Sequence, residues 1–260
     1  MIGIFDSGVG GMTVAKAVEE LLPNHPLVYL GDLARSPYGS KSPEAIEAYS
    51  VENGKFLIEN GAKLIVIACN SASSVAVKRL QNQFDVPVFE VITPAVNQAV
   101  EKTASGRIGI IGTRATVNSG IYTTLIQKRN ASYKVFAKAC PLLVPLVEEG
   151  WLKKRETKMI LRRYLASLKQ QRVDTLVLGC THYPLLSELI QHRIGRRVHL
   201  VSSSQTTAQH LYQRLASSAV VEPVRGHNPK DNNYFVTDLS PAAQKVADII
   251  FNRPVQLQKV

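Results

Sequence analysis

Short runs of apolar, largely β-branched residues alternate with longer segments of helical periodicity along most of this 260-residue chain. Strands are predicted at 2–5, 27–30, 64–68, 87–92, 108–111, 133–137, 176–178 and 198–201. Segments 43–60 and 156–168 carry apolar residues at the spacing of a helix. Because this alternation is typical of parallel sheets covered by helices on both faces, we predict an α/β fold.

A weak internal duplication indicates two such units. Residues 3–7 resemble residues 109–113, and residues 65–71 resemble residues 176–182 at a similar offset. We therefore predict two pseudo-symmetric, doubly wound lobes with mainly parallel sheets that face each other across a cleft. The first lobe would comprise 1–93 plus about 206–260, including a segment at 234–237 that packs against it, and the second about 94–205.

Composition narrows the class of protein. The N-terminus lacks the features of a secretion signal, and no apolar run reaches the roughly 20 residues that span a bilayer. The three cysteines are too few for a disulfide framework. We therefore expect a soluble cytoplasmic protein without a membrane partner. The formal net charge of +11 favours anionic ligands and leaves contact with nucleic acid open, although no nucleic-acid-binding motif is present.

Polar residues follow the predicted strands, where the carboxyl ends of parallel strands form ligand sites. Each lobe has a cysteine at such a position, Cys69 in the first and Cys180 in the second. Each also precedes a predicted helix, whose N-terminus favours the reactive thiolate. A buried structural role is the alternative for either cysteine alone. The repetition of the same arrangement favours a chemical role.

Two titratable residues accompany the cysteines. Asp6 ends an apolar strand and is interpreted as an acid–base partner of a thiol, or alternatively as a helix N-cap. His182 follows Cys180 by two residues, so on an extended segment both side chains would point the same way. The imidazole could then exchange a proton with the thiol, with a structural role as the alternative.

The same segments suggest two other kinds of site, a zinc site and a nucleotide site. Cys69, Cys180, His182 and Asp6 are all possible zinc ligands, but they lack the paired spacing of a preformed zinc site. The glycine-rich run 8–11 matches neither the dinucleotide fingerprint nor the phosphate loop. We therefore predict no metal and no cofactor, and interpret the glycines as allowing the backbone to approach a ligand closely.

Taken together, these motifs resemble glutamate racemase over nearly the whole chain. The resemblance is carried by FDSGVGG at 5–11, GD at 31–32 with PYG at 37–39, ACNSAS at 68–73, CPLLVPLVE at 140–148 and LGCTHYP at 178–184. Related aspartate racemases usually carry Glu at the position of His182, which favours glutamate as the substrate.

The resemblance implies interconversion of L- and D-glutamate for peptidoglycan synthesis without pyridoxal phosphate. It implies that Cys69, assisted by Asp6, acts on D-glutamate and that Cys180, assisted by His182, acts on L-glutamate. The residues implied to bind the substrate are Asp6, Ser7, Tyr38, Gly39, Asn70, Ser71, Thr181 and His182. Asp32 and Glu148 match acidic positions with accessory roles, and a homodimer is expected.

The chain departs from the family pattern at two positions. Ser71 stands where threonine is more common, which keeps the hydroxyl, and Ser202 stands where aspartate is common. The chain begins at the first strand, so control through an N-terminal extension by a cell-wall precursor is expected to be absent. The alternatives are a racemase of aspartate or another amino acid, and a basic nucleic-acid-binding protein.

Overall fold

The computed structural model describes residues 1–217 and 220–260, which form two parallel β-sheets with helices packed on them. The strands are β1 Ile2–Asp6, β2 Leu27–Gly31, β3 Leu64–Ile67, β4 Val88–Glu90, β5 Arg107–Gly112, β6 Lys134–Ala139, β7 Thr175–Gly179, β8 His199–Ser202, β9 Asn233–Val236 and β10 Leu257–Lys259. The first sheet has the order β10-β9-β2-β1-β3-β4 and the second the order β6-β5-β7-β8. All pairs are parallel, which confirms the predicted fold class.

Twelve α-helices lie in the described residues. They are α1 Met12–Leu21, α2 Pro43–Glu59, α3 Asn70–Ser73, α4 Val77–Gln83, α5 Ile92–Lys102, α6 Arg114–Asn118, α7 Ile121–Arg129, α8 Leu143–Glu148, α9 Arg155–Gln170, α10 Ser187–Ile194, α11 Ser203–Ala216 and α12 Pro241–Phe251. The helices predicted at 43–60 and 156–168 match α2 and α9 closely. None of the described helices is long and apolar enough to cross a membrane.

The fourth predicted strand extends too far in the sequence analysis. The structure ends β4 at Glu90, and Ile92 begins α5. The Glu90 carboxylate caps this helix, since it accepts hydrogen bonds from the backbone N–H groups of Ile92 at 2.5 Å and Thr93 at 2.9 Å. The boundary predicted between the lobes at 93/94 therefore falls within the first turn of α5.

The C-terminal segment joins the first sheet. Strand β9 pairs with β2, and β10 pairs with β9. The interpretation that 234–237 packs against the first lobe is thereby confirmed. Strand β10 was not predicted, because Leu257, Gln258 and Lys259 give a short run without a clear apolar pattern. The first sheet draws on both ends of the chain, and the second on residues 107–202.

Strand β1 is central in the first sheet and completely buried, so its backbone has little freedom to move. A Cβ added at Gly3 would lie 2.6 Å from the Ala62 Cβ and 3.2 Å from the Leu57 Cβ. Only glycine fits in this space because the surrounding side chains are packed at the density of a crystal.

We therefore expect Gly3→Ala to destabilise the fold by about 1–3 kcal/mol through overpacking. The urea midpoint of unfolding, followed by circular dichroism, measures the loss. Ala62→Gly removes the nearest clashing atom, so the double variant should recover part of the stability that Gly3→Ala loses. Strictly additive effects of the two substitutions would contradict a direct clash.

Candidate active site

The two cysteines predicted to be reactive lie at the carboxyl ends of strands in different sheets. Cys69 follows β3 and Cys180 follows β7. Both are nearly buried, with 5% and 6% of their surface exposed. Burial is the main cause of the raised pKa of Cys69, the Asp6 carboxylate adds to it, and negative charge on Cys180 contributes least. The fold thus brings together residues separated by 111 positions in the chain.

Asp6 ends β1 and is fully buried between the two sheets. Its Oδ2 accepts hydrogen bonds from the backbone N–H groups of Gly8 at 3.1 Å and Gly11 at 2.9 Å. The Thr181 hydroxyl of the other sheet lies 3.4 Å from both carboxylate oxygens. Burial raises the pKa of Asp6, while the positive charge of His182 and the two N–H groups act in the opposite direction.

The surroundings of Cys69 favour a neutral thiol. Its Sγ donates a hydrogen bond to the Ser7 hydroxyl at 3.6 Å. Burial raises the pKa of Cys69 to about 12, and the Asp6 carboxylate adds to this effect. The sequence analysis expected the helix that begins at Asn70 to favour the thiolate. The backbone N–H of Ala72 in this four-residue helix does act in that direction, but desolvation outweighs it, so the net pKa of Cys69 is raised.

Cys180 is paired with His182 and, through it, with Glu148. The Cys180 Sγ lies 3.8 Å from His182 Nδ1, and His182 Nε2 lies 3.3 Å from a Glu148 carboxylate oxygen. Burial acts against the imidazolium, but the contacts with Cys180 and Glu148 outweigh it and raise the pKa of His182 to about 10. The contact with Glu148 is an ion pair rather than an aligned hydrogen bond.

The local backbone at this pair differs from the sequence-based expectation. His182 has helical dihedral angles and precedes a 3₁₀-helix, Tyr183–Leu186, so the segment is a turn rather than an extended strand. The two side chains meet nevertheless, because a turn also brings residues two apart close together. The proximity inferred from the spacing is confirmed, although its geometric reason was wrong.

The glycine-rich run lies directly against the second lobe. A Cβ at Gly10 would be 2.4 Å from His182 Nδ1 and 2.7 Å from the Thr181 hydroxyl. The Thr13 hydroxyl, at the start of α1, donates to the Thr181 carbonyl at 3.1 Å. The glycines thus permit the close approach that the sequence indicated, and the group approached here is the 181–182 turn.

Three hydrogen bonds join Asn70 and Ser71 to the second lobe. The Asn70 amide accepts from the Tyr122 hydroxyl at 2.7 Å and donates to the Ser203 hydroxyl at 3.3 Å. The Ser71 hydroxyl lies 2.8 Å from that of Thr113. Sequence reasoning noted Thr113 after β5 but did not include it in the site. It missed Tyr122, for which no motif gives a signal.

Asp32 and Tyr38 form a buried, hydrogen-bonded group in the first lobe. The Tyr38 hydroxyl donates to Asp32 and accepts from the Asn53 amide at 3.0 Å. Asp32 also accepts from Arg35 at 2.6 Å and from the Thr237 hydroxyl at 3.0 Å. The hydroxyl of Tyr38 is therefore used within the first lobe.

Gly39 brings this group to the lobe interface. A Cβ at Gly39 would lie 2.5 Å from the Thr113 Cβ. The backbone at Gly39 therefore touches the second lobe directly, and a side chain here would push the lobes apart.

The structure also bears on the alternatives. Among the described residues, no three His, Cys, Asp or Glu side chains are arranged to hold a metal ion, which argues against the zinc site considered from the sequence. The third cysteine, Cys140, is buried with its thiol 3.6 Å from the Lys138 carbonyl, and burial raises its pKa to about 12. Cys140 thus fits a packing role.

The raised pKa of His182 predicts a pH dependence of stability. A group whose pKa is raised in the folded state stabilises the fold fully below its unfolded pKa, near 6.5, and progressively less up to about pH 10. The urea midpoint should therefore fall between pH 6.5 and 10, and fall less in Glu148→Gln, which removes the carboxylate partner. If the urea midpoint fell equally with pH in the unchanged protein and in Glu148→Gln, an imidazolium at this position would be contradicted. His182→Gln, which has no imidazole, serves as a further comparison.

Comparison with known proteins agrees with this geometry. Residues 12–211 match the model of the Asp/Glu/Hydantoin racemase family. A glutamate racemase of Geobacter metallireducens is 45% identical over 238 residues, which cover 92% of this chain and 87% of that protein.

Two crystal structures share the fold over the whole chain. The glutamate racemase isoform RacE1 of Bacillus anthracis aligns with a TM-score of 0.94 and 33% identity, covering 100% of this chain and 97% of that one. The glutamate racemase of Francisella tularensis in complex with D-glutamate aligns with a TM-score of 0.91 and 33% identity, covering 100% and 96%. The chain therefore belongs to the Asp/Glu/Hydantoin racemase family and is an amino-acid racemase.

Proposed function

We propose that this protein interconverts L- and D-glutamate with Cys69 and Cys180 as two opposed bases. The observation that carries the proposal is the position of the two thiols. They are buried in different lobes, and each has its own polar partners. Racemisation removes a proton from one face of the α-carbon and returns one to the other face. A base on each side of a closed cleft meets this requirement.

The proton balance follows from this arrangement. With L-glutamate, a thiolate at Cys180 takes the α-proton, and the electron pair of the broken C–H bond moves into the carboxylate-stabilised carbanion. The thiol of Cys69 then gives its proton to the opposite face, which leaves a thiolate at Cys69. The reverse sequence converts D-glutamate, and the protein returns to its first state by proton exchange.

The pKa shifts of Cys69 and His182 suit the conversion of L-glutamate to D-glutamate. The pKa of Cys69, about 12, keeps this thiol protonated at neutral pH and ready to donate. A protonated His182 beside Cys180 stabilises a thiolate there. For the D-enantiomer, Cys69 must become the base. The positive ammonium group of the bound substrate would lower the cost of its thiolate, since an opposite charge favours ionisation.

The carbanion needs donors around the α-carboxylate, because the α-proton is very weakly acidic. Asn70, Ser71 and Thr181 supply an amide and two hydroxyl groups at the carboxyl ends of β3 and β7. Ser7 and Gly39 follow β1 and β2, whose carboxyl ends lie at the same edge of the first sheet. No cofactor is required in this proposal, because the protein itself provides both bases and these donors.

Glutamate is proposed rather than aspartate because the relative at 45% identity is a glutamate racemase and a similar structure holds D-glutamate. The family resemblance also suggests that the D-glutamate formed is used for peptidoglycan, and that the protein is a homodimer. Faster α-deuterium incorporation into aspartate than into glutamate in heavy water would favour the alternative substrate.

Replacing either thiol tests the two-base mechanism. Cys69→Ser and Cys180→Ser should each lower racemisation by 10²–10⁴-fold, because a serine hydroxyl is a far weaker acid than a thiol. A glutamate analogue with a leaving group on the β-carbon separates the two half-reactions, since proton abstraction alone then leads to elimination. Cys69→Ser should still process the L-analogue, and Cys180→Ser the D-analogue.

Two further variants serve as comparisons. Asp6→Asn should weaken elimination from the D-analogue and His182→Asn that from the L-analogue, each by less than loss of the thiol. If both cysteine variants kept near-normal racemisation, or lost elimination from the same enantiomer, the facing-bases mechanism would be wrong.

A second prediction concerns Tyr29, a buried residue of β2 whose hydroxyl donates to the Gly8 carbonyl at 2.5 Å. This bond holds the loop whose N–H groups at Gly8 and Gly11 bind Asp6. Tyr29→Phe should therefore lower elimination from the D-analogue by about tenfold, the effect of losing one buried hydrogen bond, and change the L-reaction little.

Tyr234→Phe is the matched control. It also removes the hydroxyl of a buried tyrosine. This hydroxyl donates to the Glu19 carboxylate at 2.7 Å, and it lies away from the thiols. Both eliminations should stay near normal in this control. Equal losses for the two enantiomers in Tyr29→Phe would show a general loss of stability instead of a positioning role.

A further inference from the structure

The net positive charge of this protein comes from one part of the chain. Residues 94–205 contain 18 Lys and Arg against 6 Asp and Glu, a net charge of +12. The remainder contains 13 Lys and Arg against 14 Asp and Glu, a net charge of −1. The formal charge of +11 is therefore entirely a property of the segment that builds the second sheet.

Within this segment the charge is concentrated on one outer surface. Helices α9 and α10 pack against each other and cover one face of the second sheet, where Leu161, Leu165 and Ile190 contact Leu176 and Leu178 in one apolar cluster. The other face packs with α5 and α7 into the core shared with the first lobe. The layer formed by α9 and α10 thus lies on the face of the second sheet opposite the core shared with the first lobe.

We call residues 151–174 and 187–197 the basic layer. It carries eleven cationic side chains and three acidic ones, Glu156, Asp174 and Glu188. The cations are Lys153, Lys154, Arg155, Lys158, Arg162, Arg163, Lys169, Arg172, Arg193, Arg196 and Arg197. Ten of them are exposed, and Arg193 is partly buried.

These cations have no internal counter-charge. Across residues 1–217 and 220–260, no carboxylate comes within 4.0 Å of any of the eleven. Asp174 is occupied by the Thr103 hydroxyl at 2.6 Å and by the N–H groups of Ala104 and Ser105. The positive charge of the layer is therefore available to an anionic partner from outside the chain.

Four of the five cations on α9 form a line, and Arg163 lies outside it. Arg155, Lys158, Arg162 and Lys169 fall within a sector of about 60° at 100° per residue, on a helix of 16 residues that is about 24 Å long. The single tryptophan of the chain, Trp151, lies four residues before this helix and is 41% exposed. An exposed aromatic ring therefore stands at one end of a row of charges.

We propose that the basic layer binds single-stranded nucleic acid along its phosphate backbone, with a base stacked on Trp151. A row of cations about 21 Å long, from Arg155 to Lys169, matches a chain of phosphates better than a single small anion. Seven of the eleven cations are arginines, whose guanidinium groups bind phosphate through two parallel hydrogen bonds. Single-strand sites combine a positive track with aromatic stacking in this way.

Other occupants fit less well. A second copy of the chain would bring the same positive layer against itself, and like charges repel. A lipid surface requires a contiguous apolar face, whereas α9 buries its apolar side and exposes Met159 alone among its large apolar residues. Since the contacts are made to phosphates, the binding is independent of base sequence.

Fluorescence anisotropy of a labelled 20-nucleotide oligo(dT) with the full-length protein tests the proposal. Binding should weaken with salt, with a slope of log K against log[salt] near −3, as expected for about four phosphates neutralised on a single strand. Titration with unlabelled oligo(dT) should quench the fluorescence of Trp151, the only tryptophan. Trp151→Leu should weaken binding by about tenfold, as for loss of one stacked base.

A charge-matched pair of triple variants localises the site. Arg155→Glu, Arg162→Glu and Lys169→Glu together should weaken binding at least tenfold and reduce the salt slope by about 2. Lys55→Glu, Lys63→Glu and Arg79→Glu make the same change of charge at exposed positions of the first lobe, and should change binding less than threefold. Both proteins should retain racemase activity, since none of these residues lies in the proposed site.

Equal weakening in the two triple variants would overturn the proposal, because it would show a general field and no defined surface. Absence of salt-sensitive binding to oligo(dT) at 50 mM salt would overturn it as well. So would tighter binding to phosphatidylglycerol vesicles than to the oligonucleotide, which would indicate a membrane surface.

Discussion

The buried carboxylate of Asp6 is the interaction on which the arrangement of both lobes depends. It lies at the end of the central strand β1 with no exposed surface, where an ionised group is costly unless several donors surround it. Two donors are backbone N–H groups of the following glycine loop. The Thr181 hydroxyl of the second lobe is a third donor. The positive charge of His182, also in the second lobe, stabilises the carboxylate further. Two loops distant in sequence thus converge on one negative charge.

The glycines follow from the same constraint. Asp6 can be shared only if the backbone of the first lobe touches the turn that carries Thr181 and His182. A side chain at Gly10 would occupy the position of the His182 ring, and one at Gly39 would meet Thr113. These residues therefore serve close contact between the lobes. The Tyr29 hydroxyl donates to the Gly8 carbonyl and so holds the glycine loop in place, with the N–H groups of the loop directed at Asp6.

Local pattern was sufficient to predict most of the strands, though not β10, and the positions of the cysteines. Apolar runs located β1, β3 and β7, and the rule that parallel strands share their carboxyl ends placed Asp6, Cys69 and Cys180 at ligand-binding edges. The contacts of Tyr122 with Asn70 could not be predicted, because they depend on how two separately folded sheets are oriented. Periodicity contains no information on that orientation.

The protonation of the thiols was the other limit of the sequence. The short helix after Cys69 suggested a favoured thiolate, yet the structure buries this sulfur beside the Asp6 carboxylate. Desolvation and a neighbouring charge are properties of the assembled interior, and both act against ionisation. The imidazolium of His182 likewise depends on Glu148, which is 34 residues away in the chain. The residue types alone indicated which groups are partners. They did not indicate whether the pKa of Cys69 or of His182 would rise or fall.

The bonds between the lobes also bear on how a substrate could enter the proposed site. Asn70 uses both ends of its amide for Tyr122 and Ser203, and Ser71 bonds Thr113. A substrate carboxylate, which only accepts hydrogen bonds, would compete with Ser203 for an N–H of Asn70 and with Thr113 for the hydroxyl of Ser71, while Tyr122 keeps its bond to the Asn70 carbonyl oxygen. Hydrogen bonds to a charged acceptor are stronger than those between neutral groups. A carboxylate can therefore displace these neutral partners, whereas a neutral water molecule would gain little free energy by doing so. In the proposed reaction, recognition of the substrate and closure of the lobes thus use the same polar groups, which makes the closed cleft selective for an anionic ligand.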